Sequence, residues 1–452
     1  MAFTAIDSQL GKFLQIAFSE GVRTQISEDY RDWEMIKRHR VSDPNGRELR
    51  FLQQLSLGAA AIQYANPGVV SAFPDAQKMS VQECTAVFKE INGTIEIDYN
   101  TWERARKSPA KYAEPLALEI QSKTTASKRR LAADLYGDGT GVVAEVDSVV
   151  SLASGVVVIQ LKTTAAALGH IGFCEFGDLL VAADAAGADV DPSGAASFHA
   201  YRVKSRSRKL DQVTLEIVDS SGAVITGASA TNLVSGSLFY RLGQKVNSDI
   251  PNRSSISDYG SATNIIPGLL SLASDDGRTV HGIVMSGPTA ASSIDASGDP
   301  LDVTQIQEMM SNVKVNVGQS AYSWKQLVMA PEALDALIES RETDRRFNTV
   351  EDTTRGARKF VYQHGNDSLE CVTSEYVQKK IAYALPEAKG GQKVLESYMT
   401  DFSPVTMGNS MSEFHLKPTS SGYQRAVTSF MQAMGTLVCK HPAAIAVLKN
   451  FS

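Results

Sequence analysis

The stretch from Ser108 to Gly141 constrains the fold of this chain most, because it has the pattern of one long helix. Ser108 is a suitable N-cap, and Pro109 stands at the first helical position, where a missing N–H costs nothing. Gly137 is predicted to end the helix as a left-handed C-cap. Apolar residues recur at the helical period, at Tyr112, Leu116, Ile120, Leu131 and Leu135. A helix of about 28 residues is roughly 42 Å long, so we predict a spine on which the rest of the chain packs.

Composition limits the classes of protein that remain. A chain of 452 residues is long enough for two to four domains. Its net charge of -6 argues against binding to a phosphate backbone as its main role. It has no apolar run of 18 residues and no basic-then-apolar N-terminal segment, so we expect neither a membrane span nor a secretory signal. The cysteines are far apart and fit free thiols in a reducing compartment: Cys84, Cys174, Cys371 and Cys439.

The first 107 residues look unable to bury a core of their own. Residues 1–45 are predicted to form an arm with short helices. Within residues 46–107, strands at Thr85–Glu90 and Thr94–Asp98 flank Ile91-Asn92-Gly93, a strong hairpin signal. Such a hairpin, with few apolar residues, is either a disordered loop or an arm that packs on another molecule. We favour the arm, because isolated hairpins are only marginally stable.

Residues 142–243 have a different pattern, in which short β-rich runs alternate with Gly, Ala, Ser and Asp turns. This spacing predicts a small antiparallel barrel or sandwich, interpreted as a module inserted into the main scaffold. The predicted strands are Gly141–Val150, Val156–Lys162, Asp178–Ala182, His199–Lys204, Gln212–Val218 and Ser237–Leu242.

The remainder of the chain predicts a compact α+β domain that ends near Tyr398. A helix begins at Asp302 or Thr304 and continues through Val313. A short buried strand at Gln326–Met329 then leads to Pro331 and another helix. The final stretch, from Tyr423 to Phe451, alternates apolar and polar residues and is predicted to be a strand pair.

The order of these segments resembles the Hong Kong 97-type (HK97-like) major capsid proteins of tailed phages. The similar stretches are Tyr112–Gly141, which ends in LYGDGTG, Val328–Ser340 (VMAPEALDALIES) and Gly435–Phe451 (GTLVCKHPAAIAVLKNF). The resemblance implies an α+β capsid fold with an N-terminal arm, an extended loop, a peripheral domain built on the spine helix and an axial domain. These pieces correspond to an arm at 1–45, the extended loop at 46–107, the spine at 108–141, the inserted β-module at 142–243, further peripheral domain at 244–317, the axial domain at 318–400 and peripheral return strands at 401–452.

The same resemblance implies a structural role without enzymatic activity. It predicts pentamers and hexamers of this chain in an icosahedral shell, assembled in the host bacterial cytoplasm, that encloses double-stranded DNA in the virion without reading its sequence. Expected partners are further copies, scaffolding and portal proteins and a decoration protein. Some relatives form a lysine–asparagine crosslink, but nothing marks Lys78 or Lys89 as reactive. The alternatives are an encapsulin-like compartment that holds enzyme cargo, or a soluble β-rich hydrolase or adhesin.

Two stretches carry possible metal ligands. Asp134, Asp138, Gly139 and Glu145 match positions 1, 5, 6 and 12 of a calcium loop, but position 3 is Tyr136. We prefer a helix-ending turn in which Asp138 binds backbone amides. His170 and Cys174 have zinc-ligand spacing with only His199 nearby, and we prefer a buried thiol and a turn histidine. No GxSxG elbow is present, so we predict no catalytic residue, cofactor site or metal site.

Two charged stretches remain open. Arg202, Lys204, Arg206 and Arg208 occupy every second position and would share one face of a strand. They predict either a patch for an acidic partner or nucleic acid, or a solvated outer face, which we favour. The loop from Arg341 to Lys359 mixes both charge signs and suits either ion pairs between subunits or a soluble loop.

Overall fold

A computed structural model of the chain describes a set of segments that together form four sheets and a barrel. These are residues 36–40, 48–56, 80–98, 129–164, 169–184, 190–192, 198–219, 222–228, 230–242, 266–273, 279–284, 292–317, 322–340, 361–364, 367–388, 392–399, 403–404, 415–419 and 422–451. The predicted loop from Arg341 to Lys359, residues 1–35 of the predicted arm and Lys78 lie outside the described residues.

The secondary structure is mainly β. The strands are β1 (Lys37–Arg40), β2 (Glu48–Ser56), β3 (Ser80–Val87), β4 (Lys89–Asp98), β5 (Val142–Ala153), β6 (Val156–Leu161), β7 (Leu179–Ala183), β8 (Phe198–Ser207), β9 (Gln212–Asp219), β10 (Leu238–Arg241), β11 (Thr279–Val280), β12 (Ile283–Val284), β13 (Ser292–Asp295), β14 (Tyr322–Met329), β15 (Val361–His364), β16 (Asp367–Thr373), β17 (Ile381–Ala388), β18 (Gln392–Lys393), β19 (Leu395–Met399), β20 (Ser403–Pro404), β21 (His415–Thr419), β22 (Gly422–Cys439) and β23 (Ala446–Lys449). The described helices are α1 (residues 129–135), α2 (Leu269–Leu272), α3 (Val303–Val317) and α4 (Pro331–Ser340), with 3-10 turns at Ile171–Phe173 and Pro442–Ala444.

Six antiparallel strands, β5 to β10, close into a barrel in the order β10-β5-β6-β9-β8-β7. Alternate residues point inward, as in β6 and β9, where partly buried and buried positions alternate. The six predicted strands of this region are confirmed, each within a few residues of its predicted bounds. Closure leaves no free edge in this part of the chain. That the barrel is an insertion into a larger fold stays a prediction.

A seven-stranded mixed sheet has the order β13-β23-β17-β14-β16-β15, with β18 beside β17. Helix α3 covers it with one buried face whose residues are three or four apart, namely Ile306, Met309, Met310 and Val313. They pack in the same core as Trp324 and Leu327 of β14. The Trp324 indole donates to Ala444 O at 3.0 Å. The predicted strand and the two predicted helices of this region are confirmed.

The domain boundaries predicted at residues 317 and 400 need correction, because each divides a single sheet. Strand β13 lies before residue 317 and β23 lies after residue 400, yet they pair with each other in parallel and belong to the mixed sheet. Strand β19, by contrast, pairs with β22 in a different sheet. The two predicted C-terminal strands are present as β22 and β23, but they do not pair with each other, because the turn at Pro442–Ala444 takes the chain from one sheet to the other. Such long-range pairing leaves no local sequence signal.

The third sheet is organised by β22, which has 18 residues. Its order is β1-β19-β22-β20, and β4 and β21 also pair with β22. The predicted hairpin around Asn92-Gly93 is wrong, because β4 runs straight through these residues, which lie opposite Gln432 and Met431. Ten consecutive pairings with β22 outweigh the local preference of Asn-Gly for a turn.

The real partner of β3 is β2, which lies earlier in the chain. Their antiparallel register joins Glu48 to Val87 and extends to Ser56 and Ser80. These two strands form a sheet of their own, which we call the ribbon.

Only the end of the predicted spine helix, α1, lies within the described residues, and Ser108 to Lys128 lie outside them. Leu131 and Leu135 are buried, as the helical pattern predicts. The predicted left-handed cap at Gly137 is wrong, since the positive φ angles fall at Gly139 (78°) and Gly141 (81°). The helix instead ends by tightening, and Gly137 N donates to Asp134 O at 3.2 Å.

Within the segments that the structure describes, no helix is both long enough and apolar enough to cross a membrane.

Candidate assembly surfaces

The ribbon of β2 and β3 has two unlike faces, because residues alternate between them. On one face Cys84 and Ala86 are buried against the rest of the chain. On the other face Leu52 is 75% exposed and Val81 is 44% exposed. Leu52 lies opposite Glu83 in the register, and Val81 lies opposite Gln54. The ribbon thus presents apolar side chains to solvent on a two-stranded sheet, which is a poor arrangement for a lone molecule.

Within the described segments, the ribbon contacts the body of the chain at a turn next to His281. Thr85 N donates to His281 O at 3.1 Å, and the Gln82 side chain donates to Gly282 O at 3.1 Å. The Phe51 ring meets the His281 ring edge-on, with centroids 5.6 Å apart. These contacts converge on the tight turn between β11 and β12.

The N-terminal strand β1 also depends on a distant segment. It pairs in parallel with β19, with Lys37 opposite Glu396. The buried Glu396 carboxylate accepts from Lys440 at 2.8 Å and from the Tyr398 hydroxyl at 2.8 Å, and His39 Nε2 lies 3.2 Å from it. Burial favours the neutral acid, but these donors outweigh it and hold the pKa of Glu396 below its usual value. Residues 37–40 of the predicted arm are therefore docked on their own chain by pairing and charge.

The basic row of β8 divides into two pairs with different roles. Arg202 donates to Glu216 through Nε and Nη2, and Lys204 Nζ lies 3.0 Å from the same carboxylate. Hydrogen bonds from these two side chains lower the pKa of Glu216. The single Glu216 carboxylate offsets one of these two positive charges, and the Lys204 side chain stays 53% exposed, so this half of the row is a partly paired, solvated face of the barrel.

The other pair reaches across to the mixed sheet. Arg206 donates to the carbonyls of Gly172 and Cys174, between β6 and β7, at 3.2 and 3.1 Å, and its Nη2 lies 3.5 Å from the Glu375 carboxylate, just beyond β16. Arg208 binds both oxygens of Glu332 on α4 and donates to Glu375 O at 2.6 Å. We call Arg206 and Arg208 with these acceptors the arginine clamp.

The prediction that the four basic residues share one face of a strand is wrong for a physical reason. A bulge between Val203 and Ser205 shifts the alternation of β8, and Arg208 lies beyond the strand's end at Ser207. A third cation supports the clamp, since Lys379 Nζ donates to Arg208 O at 2.6 Å. The clamp therefore joins the barrel to the mixed sheet within one chain.

A buried charge cluster joins α1 to the barrel, and sequence reasoning missed it. Arg241, the last residue of β10, lies 3.3 Å from Asp134 of α1 and 3.2 Å from Asp178. Its Nη2 also donates to Phe173 O at 2.9 Å. Since an arginine at a strand end carries no signal of its partners, only the fold reveals this contact.

The acidic residues of the calcium-loop pattern each bind a different partner. Asp134 pairs with Arg241, and Glu145 pairs with Lys162 at 2.6 Å. Asp138 Oδ1 accepts from Thr140 N at 3.0 Å and from its hydroxyl. This is the helix-ending turn that we preferred.

The residues of the zinc pattern are likewise accounted for by the fold. His170 Nδ1 accepts from Gly172 N at 3.0 Å and caps the following 3-10 turn. Burial, with Arg208, Lys379 and Arg206 nearby, lowers the pKa of His170 well below its usual value. Burial raises the pKa of the Cys174 thiol to about 12, while His199 is exposed.

Across the described residues, no three His, Cys, Asp or Glu side chains are grouped as a metal site would require. Lys89 is buried on β4 opposite Gly435.

Comparison with known proteins gives matches among solved structures alone. No protein-family model matches the chain, and no characterised protein sequence does. The capsid asymmetric unit of cyanophage A-1(L) is 10% identical, with 93% of this chain and 92% of that chain covered and a TM-score of 0.44. The capsid of a native GTA particle is 9% identical, with 93% and 89% covered and a TM-score of 0.42.

An encapsulin complex of Synechococcus elongatus is 8% identical, with 94% of this chain and 89% of that chain covered and a TM-score of 0.37.

Proposed function

We propose that this chain is a major capsid protein of the Hong Kong 97 type, a structural subunit without enzymatic activity. Copies of it would form pentamers and hexamers that close into an icosahedral phage head around double-stranded DNA. Assembly would take place in the host bacterial cytoplasm with scaffolding, portal and decoration proteins as partners. The finished shell would be part of the virion.

The observation that carries this proposal is the outward face of the ribbon. Leu52 and Val81 are exposed apolar side chains on a two-stranded sheet. A lone soluble chain gains nothing from that arrangement, whereas a neighbouring copy would bury both side chains. Contact of one surface with a different surface on the next copy builds rings, and rings of five and six close a shell.

The sheet of β22 supports the same proposal. Its strands come from residues 37–40, 89–98, 395–399, 403–404, 415–419 and 422–439, so it gathers distant segments into one scaffold. In the proposed subunit this sheet belongs to the peripheral domain with α1. The mixed sheet with α3 and α4 is the axial domain, enlarged to include β13 and β23. The barrel is the inserted module.

The test replaces the apolar face of the ribbon and leaves its pairing intact. Leu52→Lys places an amine opposite Glu83, and Val81→Lys places one opposite Gln54, so neither change opposes like charges within the ribbon. The double variant should remain folded by circular dichroism and fail to form shells in electron micrographs. Val150→Lys, at a half-exposed position on the barrel, is the matched control and should assemble.

Two outcomes would count against the proposal. Normal shells from the double variant would remove the ribbon from the assembly surface. Particles that contain only protein cargo would favour the encapsulin-like alternative over a phage head. A deletion of residues 70–95 is a simpler design, but it also removes part of β4 from the sheet of β22. A loss of shells in that deletion could therefore come from misfolding as well as from lost assembly contacts.

A further inference from the structure

His281 is the point where three distant segments meet. Its carbonyl accepts from Thr85 N of the ribbon, and its ring meets Phe51 of the ribbon edge-on. Its Nε2 accepts from Cys439 N, at the end of β22, at 3.2 Å. His281 itself lies in the turn between β11 and β12. His281 thus links the ribbon to the sheet of β22.

The backbone of His281 has an unusual conformation. Its φ is 52°, in the left-handed region that non-glycine residues seldom adopt. The side chain is nevertheless only 5% exposed. A residue held in this way is fixed by its surroundings, and the contacts of both its ring and its carbonyl depend on that conformation.

The hydrogen bond that links the ring to Cys439 N of β22 forms only when the ring is neutral. Because Nε2 accepts the hydrogen bond of Cys439 N, the proton of the neutral ring lies on Nδ1. Adding a second proton at Nε2 turns the acceptor into a donor that faces another donor, and it places a charge in a buried position. Burial accordingly lowers the pKa of His281 from 6.5 to about 4.

The neighbouring titratable groups do not offset a charge at His281. Burial raises the pKa of the Cys84 thiol on β3 to about 11 and that of the Cys439 thiol on β22 to about 12, so both are neutral. The charged ribbon side chains pair with one another at its exposed positions, with Arg50 3.4 Å from Glu83 and 3.6 Å from Glu48. Lys440, next to Cys439, is bound to Glu396.

We propose that His281 is a proton-sensitive lock that holds the ribbon against the body of the chain, so that protonation of its ring frees the ribbon. The lock is a property of the single chain and does not depend on assembly. Opening exposes the ring to water, where it regains its ordinary affinity for a proton. Acid therefore favours the open form over the closed form.

The experiment is hydrogen–deuterium exchange on the full, unassembled chain between pH 7 and pH 4, corrected for the intrinsic effect of pH. Peptides that cover β2 and β3 report the ribbon, and peptides that cover β17 report the core of the mixed sheet. Between about pH 6.5 and about pH 4, opening of the ribbon should increase about tenfold for each unit that the pH falls. Over the same range β17 should remain protected.

Two variants test whether His281 is the group responsible. His281→Asn keeps a side chain that tolerates a positive φ but does not titrate, so the acid response of the ribbon should disappear. His441→Asn is the matched control, because His441 is another buried histidine with a lowered pKa, bound to Tyr322 rather than to the ribbon. It should leave the acid response unchanged.

The proposal is overturned if the ribbon of the unmodified chain shows no acid response, or if the ribbon and β17 open together. It is also overturned if the response persists in His281→Asn. If His281→Asn fails to fold, His281→Gly, which suits the positive φ and has no ring to titrate, replaces it in the same comparison.

Discussion

Arg208 on the barrel and Glu332 at the start of helix α4 form a two-pronged ion pair. Arg208 Nε lies 2.5 Å from Glu332 Oε1, and Nη2 lies 3.0 Å from Oε2. Two parallel hydrogen bonds fix both distance and orientation. The barrel and the mixed sheet are therefore joined by a specific contact rather than by a flexible connection alone.

Replacing Arg208 by Met should destabilise the chain modestly. Both partners are partly exposed, so water screens the pair and the expected loss is about 1 kcal/mol. A double-mutant cycle with Glu332→Gln, read by denaturant unfolding, measures the coupling between the two side chains. The same cycle on the more exposed pair Arg50 and Glu83 is the control and should give a coupling near zero. Equal coupling in both cycles would contradict a specific clamp.

A charge in the core beside α1 should prevent folding. Leu131 is 5% exposed and belongs to the main apolar core. Leu131→Asp would bury a carboxylate without a partner, which costs several kcal/mol. We expect insoluble protein on expression. Leu131→Met keeps volume and polarity and should cost less than about 1.5 kcal/mol, whereas soluble, cooperative folding of the Asp variant would show that this helix end is not part of the core.

A methyl group at Gly268 should also be strongly destabilising. A Cβ there would lie 2.3 Å from Gly137 O and 2.4 Å from Asp134 O, both backbone atoms that cannot turn aside. The clash would push α2 away from the end of α1. Gly227→Ala is the matched control, since a Cβ there has nothing within 4 Å. Thermal unfolding of both variants checks this, and similar melting temperatures would contradict the close packing of α1 against α2.

Stability should depend on the ionisation of Glu396. Its pKa in the folded chain is lower than the ordinary value of 4.5, so folding favours the carboxylate. The stabilisation is complete above about pH 4.5 and is lost as the pH falls through the lower value in the folded chain. Glu396→Gln should be less stable than the unmodified chain at pH 7 and should lose less stability on acidification. Glu83→Gln, at an exposed position on the ribbon, should behave like the unmodified chain in the same urea titrations.

Local sequence patterns predicted the barrel strands, α3, β14 and α4 because each is defined by its own periodicity. The same reasoning failed where a distant partner decides the structure. Asn92-Gly93 would turn in isolation, but β22 holds it in an extended strand. The domain boundaries and the arginine clamp were missed for the same reason, because the contacts that define them join residues far apart in sequence. Arg208 shows no sign in the sequence of its contact with Glu332, which lies 124 residues away.

The most direct test of the proposed shell function is electron microscopy of the full chain, expressed in bacteria with a scaffolding partner supplied, combined with light-scattering mass of the same sample. The proposal predicts closed particles of uniform diameter, whose mass is that of one fixed number of copies of the chain. A persistent monomer near 48.7 kDa under these conditions would contradict it.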